Sequence, residues 1–180
     1  MHQTLTAKLD NEYDQVADNL RLHIDSFFFP KLINKIYSKI DPHPEFNSVR
    51  FDCKFPRYEN PRFEIYVQDN NNDSISPNFY FSAAQLNVLS LSIFLAKALH
   101  AKYKGEPIDS IFIDDPIHSM DSINILSTID LLRTLSYKFG KQLIMSTHDE
   151  NFHRLLQKKI PTDLYGSKFI EFETYGKIAG

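Results

Sequence analysis

Two short apolar segments in the second half of the chain constrain its fold more than any other feature. Residues 111–113 and 143–145 are continuously apolar, and between them lies a helical pattern over residues 121–138 that stops at Gly140. Apolar runs of this length are typical of strands buried within a parallel sheet. A strand, a helix and a second strand at this spacing predict a right-handed βαβ unit. The predicted fold class is therefore α/β, with interior parallel strands.

Other elements can be predicted around this unit. Residues 83–102 are apolar on almost all faces, which is typical of a buried helix. Residues 49–55 and 63–67 alternate between apolar and polar side chains, which predicts a small antiparallel lobe of half-buried strands. A further helix is expected over residues 149–158, and a last strand near residues 168–174.

The first part of the chain is predicted to be helical. Its apolar residues recur at steps of three and four and form one stripe: Leu5, Leu9, Tyr13, Val16, Leu20, Ile24 and Phe27. Pro30 interrupts the pattern, and a second helix is expected over residues 31–40. Three heptads are too few to establish a coiled coil, but they match the stub of one. We therefore divide the chain into a helical coiled-coil stub, residues 1–44, and an α/β lobe, residues 45–180.

Composition excludes several classes of protein. The net charge of −3 gives no overall attraction to nucleic acid or to an anionic membrane. A single cysteine, Cys53, excludes an internal disulfide framework and indicates a cytoplasmic location. No apolar run is long enough to span a bilayer, so no membrane partner is expected.

Two adjacent carboxylates, Asp114 and Asp115, follow the first interior strand. Ligands in open α/β sheets bind beyond the carboxyl ends of the strands. One carboxylate at this edge could hold Mg²⁺ on a nucleotide, usually through water, and its neighbour could polarise an attacking water. An exposed acidic turn that caps the next helix explains the same residues equally well.

A histidine, His148, follows the second interior strand. It would lie beside the acidic pair if the two strands are neighbours, and it could then contact a terminal phosphate. The alternative is an ordinary loop histidine, with Thr147 or Asp149 capping the next helix.

Polar residues also precede two of the helices. Ser82 and Gln85 have the spacing of a capping box, and a helix N-terminus is a ready anion site. Ser119 or Asp121 is expected to cap the helix after the acidic pair.

The order and spacing of these motifs resemble the C-terminal half of ABC-type ATPase heads of the SMC-like group, which includes chromosome-maintenance, break-repair and phage-defence ATPases. Residues 81–85 resemble the signature motif, residues 111–115 the Walker B motif and residues 119–121 the D-loop, and His148 resembles the switch histidine. The resemblance covers residues 45–174. It implies a P-loop-NTPase-like C-terminal lobe.

The resemblance also implies ATP and Mg²⁺ as ligands. Asp114 would coordinate Mg²⁺ through water, Asp115 would be the catalytic carboxylate, and His148 would contact the γ-phosphate. Asp115 stands where the family usually has glutamate, and its shorter arm is expected to slow hydrolysis.

The remaining roles lie between two heads. Ser82 and Gln85, at the start of the signature helix, would bind the nucleotide held by a second head, and Asp121 would act across that dimer. Ala83 and Ala84 replace two glycines of the usual signature motif, which stiffens the loop.

No phosphate-binding loop of the form Gly-x-x-x-x-Gly-Lys-Ser/Thr is present among the five glycines of the sequence. We therefore expect the chain to combine with an N-terminal half of the same ATPase that carries this loop. A separate chain that supplies the loop is the alternative.

Three lysines, Lys31, Lys35 and Lys39, recur at steps of four, where the predicted coil joins the lobe. They could contact DNA phosphates, or they could form an ordinary solvated helix face. Two other functions compete with an ATPase half. One is a catalytically silent interaction module derived from such a head, and the other is a nuclease that uses Asp114 and Asp115 as metal ligands.

Overall fold

The computed structural model describes residues 2–40, 43–56, 59–174 and 176–178; the side chains of residues 2–5 and 25 are not described. The helices, in chain order, are α1 (His2–Phe28), α2 (Pro30–Ile40), α3 (Pro77–Tyr80), α4 (Ala83–Leu99), α5 (Ser122–Phe139), α6 (Glu150–Lys159) and α7 (Thr162–Tyr165). The strands are β1 (Ser48–Lys54), β2 (Arg62–Gln68), β3 (Ser74–Ile75), β4 (Lys102–Tyr103), β5 (Glu106–Pro107), β6 (Ser110–Asp114), β7 (Gln142–Ser146), β8 (Phe172–Thr174) and β9 (Lys177–Ile178).

The predicted βαβ unit is present as β6, α5 and β7. The two strands pair in parallel, with Ile111 opposite Leu143 and Asp114 opposite Ser146. Asp121 caps the first turn of α5, and the helix ends at Gly140, whose φ of 63° suits a left-handed C-cap.

Only one face of this sheet is covered in the described part of the chain. Ile111 and Ile113 are buried, but Phe112 is 67% exposed and Ile144 is 43% exposed. The prediction of strands that are interior on both faces is therefore wrong for these residues. Successive strand residues point to opposite faces, and the packed helices contact only the face that carries Ile111 and Ile113.

The main core lies between α2, α4, α5, β1 and the covered face of β6. Its fully buried side chains include Tyr37, Leu95 and Leu132. The helix α4 is present, but the prediction that it is buried on almost all faces is confirmed only in part: six of its 17 residues are buried, and Phe94 is 42% exposed. It ends at Leu99, before the predicted residue 102, because the following residues form the β4–β5 hairpin.

The small antiparallel lobe is also confirmed. β1 pairs with β2 over seven residues, and the short strand β3 extends the sheet. Asn34 of α2 joins this lobe to the core: its amide nitrogen donates to the carbonyl oxygen of Val49 at 2.9 Å, and its amide oxygen accepts from the Val49 N–H.

The first helix is present as predicted, but its apolar stripe is mostly exposed. Leu9, Val16, Leu20 and Phe27 are all exposed, whereas Ala17 is buried. The Tyr13 hydroxyl donates to the carbonyl oxygen of Phe55, so one residue of the stripe does contact the segment after β1. The stripe residue Leu5 lies outside the described side chains. The coiled coil and the division at residue 44 stay predictions, although α2 packs in the main core.

The C-terminal segment differs from the expected strand. β8 covers only Phe172–Thr174 and pairs antiparallel with β9, so it does not join the β6–β7 sheet. Ahead of it, α6 packs through Phe152 and Leu156 onto a second apolar cluster beneath α5. Among the described helices, none combines the length and the apolar character needed to cross a bilayer.

Candidate functional site

The two parallel strands bring the predicted acidic and histidine residues to one edge of the sheet. Asp114 is the last residue of β6 and lies opposite Ser146, the last residue of β7. The Ser146 hydroxyl donates to Oδ1 of Asp114 at 2.5 Å, and both side chains are exposed. Asp114 therefore presents a carboxylate at the carboxyl end of the sheet, where ligands of α/β proteins bind.

Asp115 has different partners. Its Oδ1 accepts a hydrogen bond from the Thr147 hydroxyl at 3.1 Å, and its Oδ2 lies 3.0 Å from Nδ1 of His148. Its own N–H donates to the carbonyl oxygen of Ser146 at 2.9 Å, which joins the ends of the two strands. The Asp115 side chain is 23% exposed and that of His148 is 84% exposed, so the histidine stands outermost.

This arrangement suits proton transfer. A carboxylate that is held by a hydroxyl and an imidazole has a fixed orientation, and it can accept a proton from a water molecule at this edge. In its protonated form the imidazole, with Nδ1 directed to Asp115, can also donate from Nε2 to an anion placed outside the pair. Each of these side chains comes from the end of a strand, so their mutual geometry depends on β6–β7 pairing.

Two polar residues at this edge were not identified from the sequence as site residues. Ser146 has no role in the site predicted from the sequence, and Thr147 is predicted only as a possible cap of the next helix. The cap of α6 is instead Asp149, whose carboxylate accepts from the Phe152 N–H at 2.7 Å. The sequence signal for these two residues is a pair of hydroxyl side chains at the end of one strand, next to a strand that ends in an acidic pair.

The loop that follows β6, residues 115–121, has an unusual backbone. Asp115 and Ser119 have φ values of 43° and 62°, in the left-handed region that side chains other than glycine rarely adopt. At the end of the loop, Asp121 accepts from the Asn124 N–H at 2.8 Å and caps α5. Of the two residues predicted as possible caps, Ser119 and Asp121, it is therefore Asp121 that caps α5.

The capping box at the start of α4 is confirmed. The Gln85 N–H donates to the Ser82 hydroxyl at 3.3 Å, and the Ser82 N–H donates to Oε1 of Gln85 at 2.9 Å. Within the described residues, no hydrogen bond joins Ser82 or Gln85 to Asp115 or His148. One turn further along α4, the side-chain amide of Asn87 donates to the carbonyl oxygens of Pro116 and His118, at 3.3 and 2.8 Å.

The oxygen donors at the sheet edge fit a hard cation that takes most of its ligands from phosphate and water. Asp114 offers a carboxylate and Ser146 a hydroxyl, which are the oxygen ligands that Mg²⁺ accepts, and Mg²⁺ sites on nucleotides often use one or two carboxylates together with phosphate and water. No group of three or more His, Cys, Asp or Glu side chains that could hold a metal occurs in the described ranges.

Comparisons with solved structures identify the fold. A structure from work on ATP-driven dimerization and DNA-stimulated activation of SMC ATPases aligns with a TM-score of 0.61 and 16% identity, over 89% of this chain and 87% of that one. The Smc head domain of Pyrococcus furiosus with an extended coiled coil, bound to the C-terminal domain of ScpA, aligns with a TM-score of 0.53 and 17% identity, over 82% of this chain.

An Smc head bound to the C-winged helix domain of ScpA aligns with a TM-score of 0.52 and 18% identity, over 73% of this chain. The chain spans only 34% and 37% of the lengths of these two Smc head chains. No protein-family model and no curated protein matches the sequence. The chain therefore has the fold of an SMC-like ATPase head.

Proposed function

We propose that this chain is the C-terminal half of an SMC-like ATPase head and contributes to a composite ATP site. The observation that carries the proposal is the position of Asp115, whose two carboxylate oxygens contact Thr147 and His148 at the carboxyl edge of a parallel strand pair. This is the edge at which α/β folds bind ligands. The phosphate-binding loop would come from an N-terminal half of the same ATPase.

In this proposal, Asp115 acts on the attacking water. Thr147 and His148 hold the carboxylate, so it is ready to accept the proton of a water aligned with the γ-phosphate of ATP. His148 is the more exposed partner and, as an imidazolium, would donate from Nε2 to that phosphate while Nδ1 stays on Asp115. Mg²⁺, when bound with ATP, would neutralise phosphate charge, and Asp114 would hold it through water.

Two exposed apolar surfaces support the proposal that an N-terminal half packs on this chain. Phe112 and Ile144 leave an apolar sheet face exposed, and Leu9, Val16, Leu20 and Phe27 leave an apolar seam exposed on α1. We call these four residues the α1 seam; their spacing of seven, four and seven matches coiled-coil core positions. The N-terminal half would cover the sheet face, and its own helix would pack on the α1 seam.

A second head would complete the site from the other side. The N-terminus of α4, with the exposed Ser82, offers free N–H groups and a hydroxyl to the γ-phosphate of ATP held by that head. Gln85 and Asp121 would lie close to the same interface. One of the aligned SMC structures belongs to work on ATP-driven dimerization, which supports this arrangement.

DNA is the substrate class that we propose for the assembled protein. Lys31, Lys35 and Lys39 are exposed along α2, next to the base of α1, and phosphate contacts by lysines at this place would be sequence-independent. A role in repair or phage defence follows only from the family resemblance. A cytoplasmic location is proposed on the same ground.

A catalytically silent interaction module is the second candidate. The aspartate at position 115, in place of the usual glutamate, and the lack of a phosphate-binding loop in this sequence favour it. The two candidates differ in whether Asp115 and His148 affect ATP turnover.

The test compares ATP binding and turnover by the chain alone and by the chain combined with a phosphate-binding-loop half encoded upstream. The chain alone is expected to show negligible binding and turnover. In the combined protein, Asp115→Asn and His148→Ala should each lower kcat by about 10²-fold or more, because each removes a group that assists proton transfer or charge stabilisation.

Asp163→Asn is the matched control, since Asp163 is an exposed aspartate on α7, away from the sheet edge. Equal turnover by wild type, both site variants and the control would favour the silent module. Tight ATP binding by the isolated chain would contradict the composite site.

A further inference from the structure

We infer that Asn87 is a positioning residue that fastens the loop of residues 115–121 to α4 and thereby places the Asp115 carboxylate. This inference rests on the proposed ATPase function for its effect on turnover. The fastening itself can be measured without ATP.

The contacts of Asn87 use both hydrogens of its side-chain amide. Nδ2 lies 3.3 Å from the carbonyl oxygen of Pro116 and 2.8 Å from that of His118, so one amide bridges alternate residues of the loop. An amide has two donors, and both are directed to this loop. Asn87 lies in the second turn of α4, a 17-residue helix packed into the main core, so the contact ties the loop to a rigid element.

The loop needs such a contact because the residues that flank the two bonded carbonyls have strained backbone conformations. Asp115, with φ at 43°, directly precedes Pro116, and Ser119, with φ at 62°, directly follows His118. Backbone conformations of this kind persist only where the surrounding structure holds them. The amide of Asn87 holds the two carbonyls between the strained residues, and the buried side chains of Pro116 and Ile117 hold the same segment by packing.

The orientation of Asp115 depends on this segment. Its side chain must reach Thr147 and His148 while its N–H donates to Ser146, and a change of φ at Asp115 would move the carboxylate away from both partners. Asn87 does not contact the carboxylate, so it acts through the backbone of the loop.

The same helix also carries the proposed anion site. Ser82 caps α4 and Asn87 lies five residues later, about 7.5 Å along the helix axis. The first turns of α4 therefore position two features. One is Ser82, which would face a second head, and the other is the loop that carries Asp115 and Asp121. A displacement of α4 on ATP binding by a second head would be passed to Asp115 through Asn87.

The experiment replaces Asn87 by leucine, which is of similar size and lacks donors, and by aspartate, which keeps the shape and also lacks the donors. Asn34→Leu is the matched control. The amide of Asn34 likewise donates to two carbonyl oxygens, of Pro30 and Val49, but it joins α2 to β1, away from the sheet edge. Asn34→Leu also removes the acceptor for the Val49 N–H, so a loss of loop protection that came only from lowered stability would appear in this control as well.

The first readout is amide hydrogen exchange in the 180-residue chain. The N–H groups of Asp115 and Met120 are bonded to Ser146 and Ile117, so their protection reports on both ends of the loop. Both Asn87 variants should lower this protection roughly tenfold or more relative to wild type, since two hydrogen bonds are lost. Asn34→Leu should leave it unchanged and instead affect β1.

The second readout is turnover in the combined ATPase. Asn87→Leu and Asn87→Asp should lower kcat by about tenfold or more with little change of KM, because a misplaced Asp115 affects the chemical step more than ATP binding. Asn34→Leu should leave kcat unchanged under conditions where all variants are folded.

Exchange that rises equally in the Asn87 variants and in the control, or does not rise at all, would overturn the fastening role. A loop that loosens without any fall in kcat would overturn the positioning role. If wild-type protein combined with the upstream half hydrolyses no ATP, the proposed function fails, and the exchange measurement alone decides the role of Asn87.

Discussion

Asp115 is the residue on which the proposed chemistry depends, and its surroundings show how a shorter carboxylate is accommodated. Both of its oxygens have partners, Thr147 and His148, and its backbone is in the left-handed region. Aspartate tolerates this conformation better than most side chains do. The expectation that aspartate slows hydrolysis relative to glutamate stays a prediction, and Asp115→Glu in the combined protein tests it, with a rise in kcat as the expected result.

Ser82 has a structural role in addition to its proposed role in binding ATP. Its hydroxyl and the Gln85 side chain form a complete capping box, so Ser82→Ala should lower the free energy of unfolding by about 1 kcal/mol. Ser90→Ala, at an exposed position further along α4, should change it by less than about 0.5 kcal/mol. Urea denaturation of both variants measures the difference.

Equal effects of the two serine substitutions would contradict the capping role. Ser82→Thr retains a capping hydroxyl and is the variant to use when ATP-dependent dimerisation is tested, because a loss seen with alanine could come from the helix end alone.

Among the elements, α1 is the one whose packing differs most from the packing that its sequence pattern predicts. The stripe predicted the helix, but within the described chain the face that packs against the lobe includes Ala17, and the α1 seam stays exposed. A helix stabilised mainly by packing is expected to turn its apolar stripe inward. The exposed seam fits the proposed packing of a second helix on α1.

Adjacent residues of α1 test this difference. Val16 is 57% exposed and Ala17 is 5% exposed. Val16→Ser should change the free energy of unfolding of the chain by less than about 0.5 kcal/mol, whereas Ala17→Leu should cost about 1–3 kcal/mol through overpacking against the lobe. Thermal and urea unfolding would measure both, and a larger loss from Val16→Ser would contradict the exposed position of the seam.

At the scale of the whole molecule, the sheet is half covered. The helices pack on the face that contains Ile111 and Ile113, and the face with Phe112 and Ile144 is open in the described structure. An open apolar face on a parallel strand pair fits the proposed second half, since α/β sheets of this kind are usually covered on both faces.

Neighbouring residues of β6 allow a matched test. Phe112→Ala should leave the free energy of unfolding of the isolated chain within about 0.5 kcal/mol of wild type, whereas Ile113→Ala should cost about 2–5 kcal/mol, because Ile113 is buried. With the upstream half, Phe112→Ala should raise the Kd of association by about tenfold or more, as expected for a buried aromatic anchor. Unchanged association, measured by calorimetry, would place that half elsewhere.

Much of the fold follows from the sequence because local patterns dictate it. The periods of apolar residues predicted α1, α2, α4, α5, α6 and the strand pairs β1–β2 and β6–β7. Short-range chemistry predicted the capping box at Ser82 and limited the cap of α5 to Ser119 or Asp121. These features depend on residues a few positions apart, which is why they can be read without the tertiary structure. The order of the motifs also led to the SMC-like resemblance.

Only the tertiary structure decided which residues meet. Thr147 and His148 contact Asp115 across 32 and 33 positions of the chain, because β6 and β7 pair in one particular register. The same holds for Asn87 of α4, which contacts Pro116 and His118 in the loop after β6. The exposed faces of β6–β7 and α1 could not be foreseen either, because an apolar pattern reports that a surface is to be covered but not whether this chain covers it.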